Sequence, residues 1–379
     1  MKIGIDVTSA VMQGAGIGRY TRELVQATLA ADKANEYVLF SAPPPDDHAL
    51  AQIFPLSRRI THKIAPVSEA WLYRIWYRAR LPVAVQWFAG QVDLFHSPDF
   101  VLPPVRGGIP TLLTVHDLSF VHFPEVYPAI LVNYLNKVVP WSVQRATHIL
   151  ADSAATKHDL MALWQVPDEK VTVLYSGVNA AFARVEDEGK ITAVRQKYHL
   201  GEEPYLLSVG TVQPRKNYQM LIQAFAPLAD HIPHNLYIAG GKGWLYDEMM
   251  AEIEKQRLTE RVRFIGFVDD EDLPTLYSGA DLYLFPSIYE GFGLPMLEAM
   301  ACGVPVIAAD VSSLPEVGVE TAVLLPPDAQ TQWTQTIAAV LSSPLQQEQM
   351  IAAGYRRAQK FSWQKAANQL LGIYNTLLS

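Results

Sequence analysis

Cysteine is almost missing from this chain: Cys302 is the single one in 379 residues. That excludes an internal disulfide and a cysteine-built zinc site, and it fits a reducing compartment. Long hydrophobic runs are missing too, since no stretch approaches the ~20 apolar residues that a membrane span needs. Positive charge is not in excess. Lys and Arg number 30 against 38 Asp and Glu, a formal net charge of -8, which argues against a dedicated nucleic-acid binder. Any anion site must then be built locally. Met1-Lys-Ile-Gly-Ile-Asp6 runs straight into a strand without the pattern of a signal peptide. The expected location is cytoplasmic, with peripheral contact at the inner face of the cell membrane left open. Oligomeric state is not legible.

What is present suits a well-packed α/β protein, 50% hydrophobic and 18% charged. The length exceeds one ordinary core, so two domains are expected. Strand-like runs come first at Lys2 to Val7, Tyr37 to Ser41, Val92 to His96, Thr111 to Val115, Thr147 to Ala151 and Val171 to Leu174. Residues 176–203 turn polar. A second series then starts at Tyr205 to Val209 and continues through Leu236 to Ala239, Val262 to Ile265, Leu282 to Phe285 and Val304 to Ala308. Helical patterns separate these runs, which points to doubly wound parallel sheets facing across a cleft. The expected boundaries are 1–177 for the first domain, 178–361 for the second, and 362–379 for a last amphipathic helix. Asp152 or Ser153 is placed to cap the helix that follows it.

The segment Glu290-Gly-Phe-Gly-Leu-Pro-Met-Leu-Glu298 carries the most chemistry. It joins a strand's carboxyl end to a new helix, with Pro295 in the first turn, where its missing N–H costs little. Ligands bind at such strand ends. Backbone amides at a helix start suit phosphate, and ionised carboxylates accept from sugar hydroxyls. Val209-Gly-Thr-Val-Gln-Pro-Arg-Lys-Asn217 ends another strand. There Arg215 beside Lys216 makes a diphosphate clamp that would stabilise a leaving nucleotide diphosphate. A solvated basic turn is the plainer alternative. His116-Asp117 follows the strand Thr111 to Val115, where His116 could bind a sugar hydroxyl or orient an acceptor. Gly14, Gly16 and Gly18 fail the dinucleotide spacing, because Arg19 stands where the third glycine belongs. A loop whose amides face a ligand is the better reading. Trp71 to Arg80 mixes aromatics and arginines at helical spacing, for a membrane surface or for inward packing. Asp269-Asp-Glu-Asp272 looks metal-like but reads as a cap for the next helix, and Cys302 reads as a core residue.

Together these segments resemble the family 4 retaining glycosyltransferases of GT-B architecture. The likeness extends over most of the chain and includes His96-Ser-Pro-Asp99, Thr114-Val-His-Asp117, Ala151-Asp-Ser153 and Gly266-Phe-Val268. It implies that Gly210, Arg215 and Lys216 hold the donor diphosphate and that Glu298 binds ribose. Glu290 would contact the transferred sugar, helped by the amides of Phe292, Gly293 and Leu294. Phe267 and Val268 would read the base, Gly14 and Gly16 would lie near the phosphate or acceptor, and His116 would line the reacting centre. It further implies front-face transfer with retention, no divalent metal, no cofactor beyond the donor, and a last helix that returns to the first domain. The wording around His96 and His116 is most similar to the bacterial mannosyltransferase branch, so GDP-mannose is the favoured donor and a glycan or lipid-linked molecule the acceptor. UDP-glucose, UDP-N-acetylglucosamine and dTDP-rhamnose remain alternative donors. A pyridoxal-phosphate phosphorylase of similar shape lacks a recognisable lysine site, and a non-catalytic sugar-nucleotide binder is opposed by Arg215, Lys216, Glu290 and Glu298.

Overall fold

A computed structural model describes every residue except Ala15, Asp47, Trp244 and Leu245. The chain divides into two compact units, Met1–Gly177 with Trp363–Ser379, and Val178–Ser362.

In the first unit β1 (Lys2–Asp6), β2 (Glu36–Ser41), β3 (Ile60–Ile64), β4 (Leu94–Ser97), β5 (Thr111–Val115), β6 (His148–Ala151) and β7 (Val171–Val173) make one sheet in the order 3-2-1-4-5-6-7. Every pairing is parallel. Strands covered on both faces read as near-continuous runs of apolar and β-branched side chains rather than as alternation. Thr-Leu-Leu-Thr-Val of β5 satisfies this and is buried throughout. The winding reverses between β1 and β4, and at such a switch point the strand ends leave room for a ligand. The helix Ile17–Ala31 buries Tyr20, Leu24 and Val25, and the last helix, Trp363–Leu378, packs against it. Fully buried Tyr374 meets the equally buried His96 of β4, its hydroxyl 2.7 Å from His96 Nδ1. Burial holds the His96 ring far down, at about 3, so it is neutral near pH 7.

The second unit repeats the plan with β8 (Tyr205–Val209), β9 (Asn235–Ala239), β10 (Val262–Gly266), β11 (Leu282–Phe285), β12 (Val306–Ala309) and β13 (Val323–Leu325). Their order is 10-9-8-11-12-13, again all parallel, with the switch point between β8 and β11. The expected pair of doubly wound α/β sheets is therefore present. No helix among the described residues is long and apolar enough to cross a membrane.

Some local expectations need correction. β3 and β13 were not anticipated. β3 is a half-exposed edge strand, Ile-Thr-His-Lys-Ile, and β13 has only three residues, so neither shows a buried apolar run. Ser153 alone caps its helix, accepting from the Thr156 N–H at 3.0 Å; Asp152 binds His116 instead. The acids Asp269 and Asp272 do not cap the helix Leu273–Ser278 with their side chains. They bind Lys197 Nζ at 2.7 and 2.6 Å. The Trp71–Arg80 stretch is not one regular helix: Glu69–Tyr73 is α-helical and Arg74–Arg78 widens to a π-type turn. That shift sends Trp76 and Tyr77 into the core, while Trp71 stays 54% exposed under the Arg74 guanidinium. Cys302 is fully buried, as expected, and burial pushes its thiol up to about 12.

Tyr374→Phe removes the hydroxyl that satisfies His96 and strands a buried ring nitrogen, a loss of about 1–3 kcal/mol. Urea unfolding followed by tryptophan fluorescence should show it, whereas Thr376→Ala, on the exposed side of the same helix, should stay within about 0.5 kcal/mol of the parent. Equal midpoints for parent and Tyr374→Phe would show that the bond contributes nothing to docking this helix.

Candidate functional site

The loops that leave β8 and β11 flank the switch point of the second unit, and the chain ties them together. After β8 comes a 3-10 turn, Pro214–Lys216, ended by Asn217 in the left-handed region at φ 57°. Asn217 Nδ2 donates to the carbonyls of Pro286 (3.1 Å) and Pro327 (2.8 Å). Arg215 O accepts from the Ile288 N–H, and Arg215 Nη1 donates to Tyr289 O at 2.6 Å. On the other loop the Glu290 N–H donates to Ser312 Oγ at 2.8 Å. The Ser313 hydroxyl is shared between the carbonyls of Glu290 and Phe292. Gly293 then opens the helix Leu294–Ala301 at φ 111°, a conformation that favours glycine. A β-carbon there would also sit 2.8 Å from Leu314 Cδ2.

This scaffold holds one carboxylate between two cations. Glu290 Oε1 is 2.6 Å from Lys216 Nζ, and Glu290 Oε2 is 2.8 Å from Arg215 Nη1. Lys216 and Glu290 are only 7% and 8% exposed. Burial alone would raise the Glu290 carboxyl, but Arg215 and then Lys216 hold it down at about 2. The cluster sets two cations beside one carboxylate, and in a poorly hydrated place such cations attract anions strongly. Lys216 also lies over the Phe285 ring, 5.0 Å from its centre. Its Cε would stand 2.9 Å from a β-carbon at Gly210, so only glycine there leaves the lysine its path.

Other expected positions belong to the same unit. Glu298 projects from the helix Leu294–Ala301, is 2% exposed and accepts from the Tyr277 hydroxyl at 3.2 Å. Val268 is buried and Phe267 exposed, just past β10, where Gly266 O accepts from the Gly240 N–H at 2.7 Å. The turn Gly240-Gly-Lys-Gly243 was not singled out in the sequence. A β-carbon on Gly240 would come 2.2 Å from Gly210 O, and one on Gly243 2.2 Å from Val212 O. These glycines let the turn after β9 press on the Gly210 loop, and the turn brings in Lys242. Its signal was a glycine-rich basic turn at the end of a strand. Ser312 and Ser313, which pin the Glu290 loop, carried no such signal. Among the described residues no group of three or more His, Cys, Asp and Glu is placed to hold a metal ion.

The remaining expected residues belong to the first unit. Gly16, at φ 51°, starts the helix Ile17–Ala31, and Gly14 O accepts from Arg22. Ala15, between them in the Gly14–Gly18 loop, lies outside the described residues. Gly18 is buried where a β-carbon would stand 2.1 Å from Gln13 O. His116 follows β5 and is buried, with Nδ1 2.8 Å from Asp152 Oδ2 and Nε2 3.3 Å from Pro98 O. Burial opposes its charge, but Asp152, then Asp99 and the Pro98 carbonyl, raise the ring to about 9. An imidazolium with both N–H groups engaged has neither nitrogen spare for a sugar hydroxyl unless it gives up Pro98. Its partners make it a brace for the Pro98–Asp99 turn.

Comparisons with known proteins agree with this plan. Sequence similarity to the group described as Glycosyltransferase Family 4 covers residues 14–182, and similarity to Glycosyl transferases group 1 covers 190–357. The O-antigen chain mannosyltransferase B of Escherichia coli is 30% identical over 371 residues, 96% of each chain. The serotype-specific mannosyltransferase WbdA of Escherichia coli is 30% identical over 302 residues, 75% of this chain and 36% of the much longer relative. In structure, sucrose-phosphate synthase of Thermosynechococcus elongatus superposes with a TM-score of 0.78 at 22% identity, covering 100% of this chain and 99% of that one. The chain thus belongs to the family 4 glycosyltransferases, enzymes of GT-B architecture.

Proposed function

We propose that this enzyme moves mannose from GDP-mannose to a glycan or lipid-linked acceptor in polysaccharide or lipopolysaccharide assembly. The observation that carries the reading is the buried Arg215–Glu290–Lys216 cluster at the switch point of the second unit. Its two cations suit a diphosphate, and its carboxylate suits a hydroxyl of the sugar attached to it. The choice of mannose is supported by the two mannosyltransferase relatives.

In this reading Arg215 and Lys216 pair with the donor diphosphate, and Glu290 turns an oxygen to the hexose. The amides of Phe292, Gly293 and Leu294 meet a phosphate or a sugar hydroxyl at the helix start. Glu298 takes the ribose hydroxyls, with the Tyr277 hydroxyl displaced. The Phe267–Val268 backbone reads the base. Transfer is front-faced: the acceptor oxygen bonds to the anomeric carbon, the bond from that carbon to the β-phosphate oxygen breaks, and that oxygen takes the acceptor's proton. The anomeric configuration is kept. Charge growing on the leaving diphosphate is met by the two side-chain cations, which would do the work a divalent metal does elsewhere. No cofactor besides the donor enters the scheme. His116 acts through the Pro98–Asp99 turn as a positioning residue. Gly14 and Gly16 approach the acceptor or phosphate.

Thermal denaturation against GDP-mannose, UDP-glucose, UDP-N-acetylglucosamine and dTDP-rhamnose should show the largest rise in Tm with GDP-mannose; stabilisation by a uridine or thymidine sugar alone would reassign the donor. Lys216→Ala should raise the barrier for transfer by about 2–4 kcal/mol, roughly 30- to 1000-fold in kcat/KM. Near-parental rates at both low and saturating donor would remove the clamp.

The ion cluster also gives a pH signature. A carboxyl held down at about 2 from its ordinary value near 4.5 adds stability that is complete above pH 4.5 and lost as pH falls toward 2. Urea denaturation from pH 3 to 7 should show the parent more stable than Glu290→Gln at neutral pH, with the difference shrinking below pH 4.5. A difference independent of pH would mean that Glu290 is not ionised between its cations.

A peripheral membrane contact also has support, because Trp71, Leu81, Trp87 and Ile130 of the first unit all expose large apolar side chains. Anionic liposomes should sediment the protein at low salt and release it at high salt. No sedimentation at low salt would dismiss that contact.

A further inference from the structure

Seven non-glycine residues among the described ones take φ in the left-handed region, where a β-carbon crowds the backbone. Two of them, Asn217 at φ 57° and Ser312 at φ 46°, stand on the loops that leave β8 and β12. Both direct their side chains to the loop after β11, which carries Glu290. Asn217 Nδ2 donates to Pro286 O at 3.1 Å, and Ser312 Oγ accepts from the Glu290 N–H at 2.8 Å. Asparagine tolerates the left-handed region better than most residues, whereas serine has no such preference. A conformation of this kind persists only where its surroundings hold it, and such positions gather at functional sites.

The next residue also forgoes a local interaction. Ser313 stands at the N-cap of the helix Leu314–Gly318, where a serine oxygen ordinarily accepts from an amide of the first turn. Its side chain makes no capping bond there. The hydroxyl is fully buried and is shared instead between Glu290 O and Phe292 O, each at 2.9 Å. Glu290 is thus held on both sides of its α-carbon, its N–H by Ser312 and its carbonyl by Ser313. At the far end of the side chain, the carboxylate meets Lys216 and Arg215. Anchored at both ends, the side chain has one direction in which to present its oxygens.

The cations have separate supports. Asn217 ties the turn of Arg215 and Lys216 to Pro286 and Pro327, and Arg215 O accepts from the Ile288 N–H. Neither of these bonds involves Ser312 or Ser313.

We infer that Ser312 and Ser313 are positioning residues for glycosyl transfer, which hold the Glu290 main chain so that its carboxylate faces the transferred sugar. The inference rests on the reading of Glu290 as the sugar contact and adds the pair that sets its direction. The serines act on how firmly the sugar is held, while the nucleotide diphosphate depends on Arg215 and Lys216.

Calorimetric titration of the full chain tests it. The probes are GDP-mannose, UDP-glucose, UDP-N-acetylglucosamine and dTDP-rhamnose, each compared with its bare nucleotide diphosphate. Glycine suits φ 46°, so Ser312→Gly keeps the backbone path and removes the hydroxyl. Its Tm should stay close to that of the parent. For the sugar nucleotide that binds the parent, Kd should rise about fivefold or more, the scale of one lost hydrogen bond. Kd for the matching bare nucleotide should stay within about twofold. Ser313→Ala should give the same split. Gln165→Gly, at another left-handed position (φ 54°) on the end of a helix in the first unit, should move neither constant. An equal rise in both constants would make the serines plain scaffolding and overturn the inference. So would a sugar-nucleotide Kd unchanged in both serine variants. If no sugar nucleotide binds the parent, the donor reading fails and this inference with it; a parent that binds its donor without the split in the variants removes the role of the serines alone.

Discussion

The proposed ligand chemistry of the second unit depends on Glu290 held between Arg215 and Lys216. Three ionised groups taken out of water cost several kcal/mol each, and only close pairing with full hydrogen bonding recovers it. The structure meets that demand with two contacts of 2.6 and 2.8 Å to the two oxygens of one carboxylate. The neighbouring backbone is fixed in turn by Asn217, Ser312 and Ser313. Hydrophobic residues would serve stability at least as well. What they could not supply is a preorganised positive charge with a carboxylate beside it, at the open ends of β8 and β11.

The pairing also explains why Gly210, Gly240 and Gly293 must be glycine. Gly210 lets the Lys216 side chain pass, Gly240 lets the turn after β9 close on Gly210, and Gly293 turns the chain through a left-handed conformation. The first two remove a side chain so that a charged group or backbone comes close, and the third permits the turn itself.

The parts legible in the sequence share a physical cause. Parallel strands buried on both faces require continuous apolar runs, so β5, β8 and β11 stand out as written. A glycine before Leu-Pro at a strand's end announces a helix start, so the Glu290–Glu298 segment could be read from its spacing. The rest was hidden because its cause is distant along the chain. His96 finds Tyr374, Asp269 and Asp272 find Lys197, and Asp152 finds His116 only after folding. The cavity at the ends of β1 and β4 draws on Asp6, Glu69 and Asp99 from three separate segments that meet only after folding. Edge strand β3 escaped notice because an edge lacks the burial that makes a run apolar.

The same winding occurs twice in this chain, so topology alone marks two places for ligands and cannot tell them apart. Charge does. At the end of β8 the chain puts Arg215 and Lys216, with Lys242 on the neighbouring turn; at the ends of β1 and β4 it puts Asp6 and Asp99, with no lysine, arginine or histidine among the described residues that line the cavity. A diphosphate at the second place would gain two charge-assisted contacts, and at the first it would face like charge with none to offset it. A neutral sugar has the opposite preference, since carboxylates accept from its hydroxyls while ammonium and guanidinium groups only donate. In the proposed reading the donor diphosphate takes the end of β8, where the cations stand.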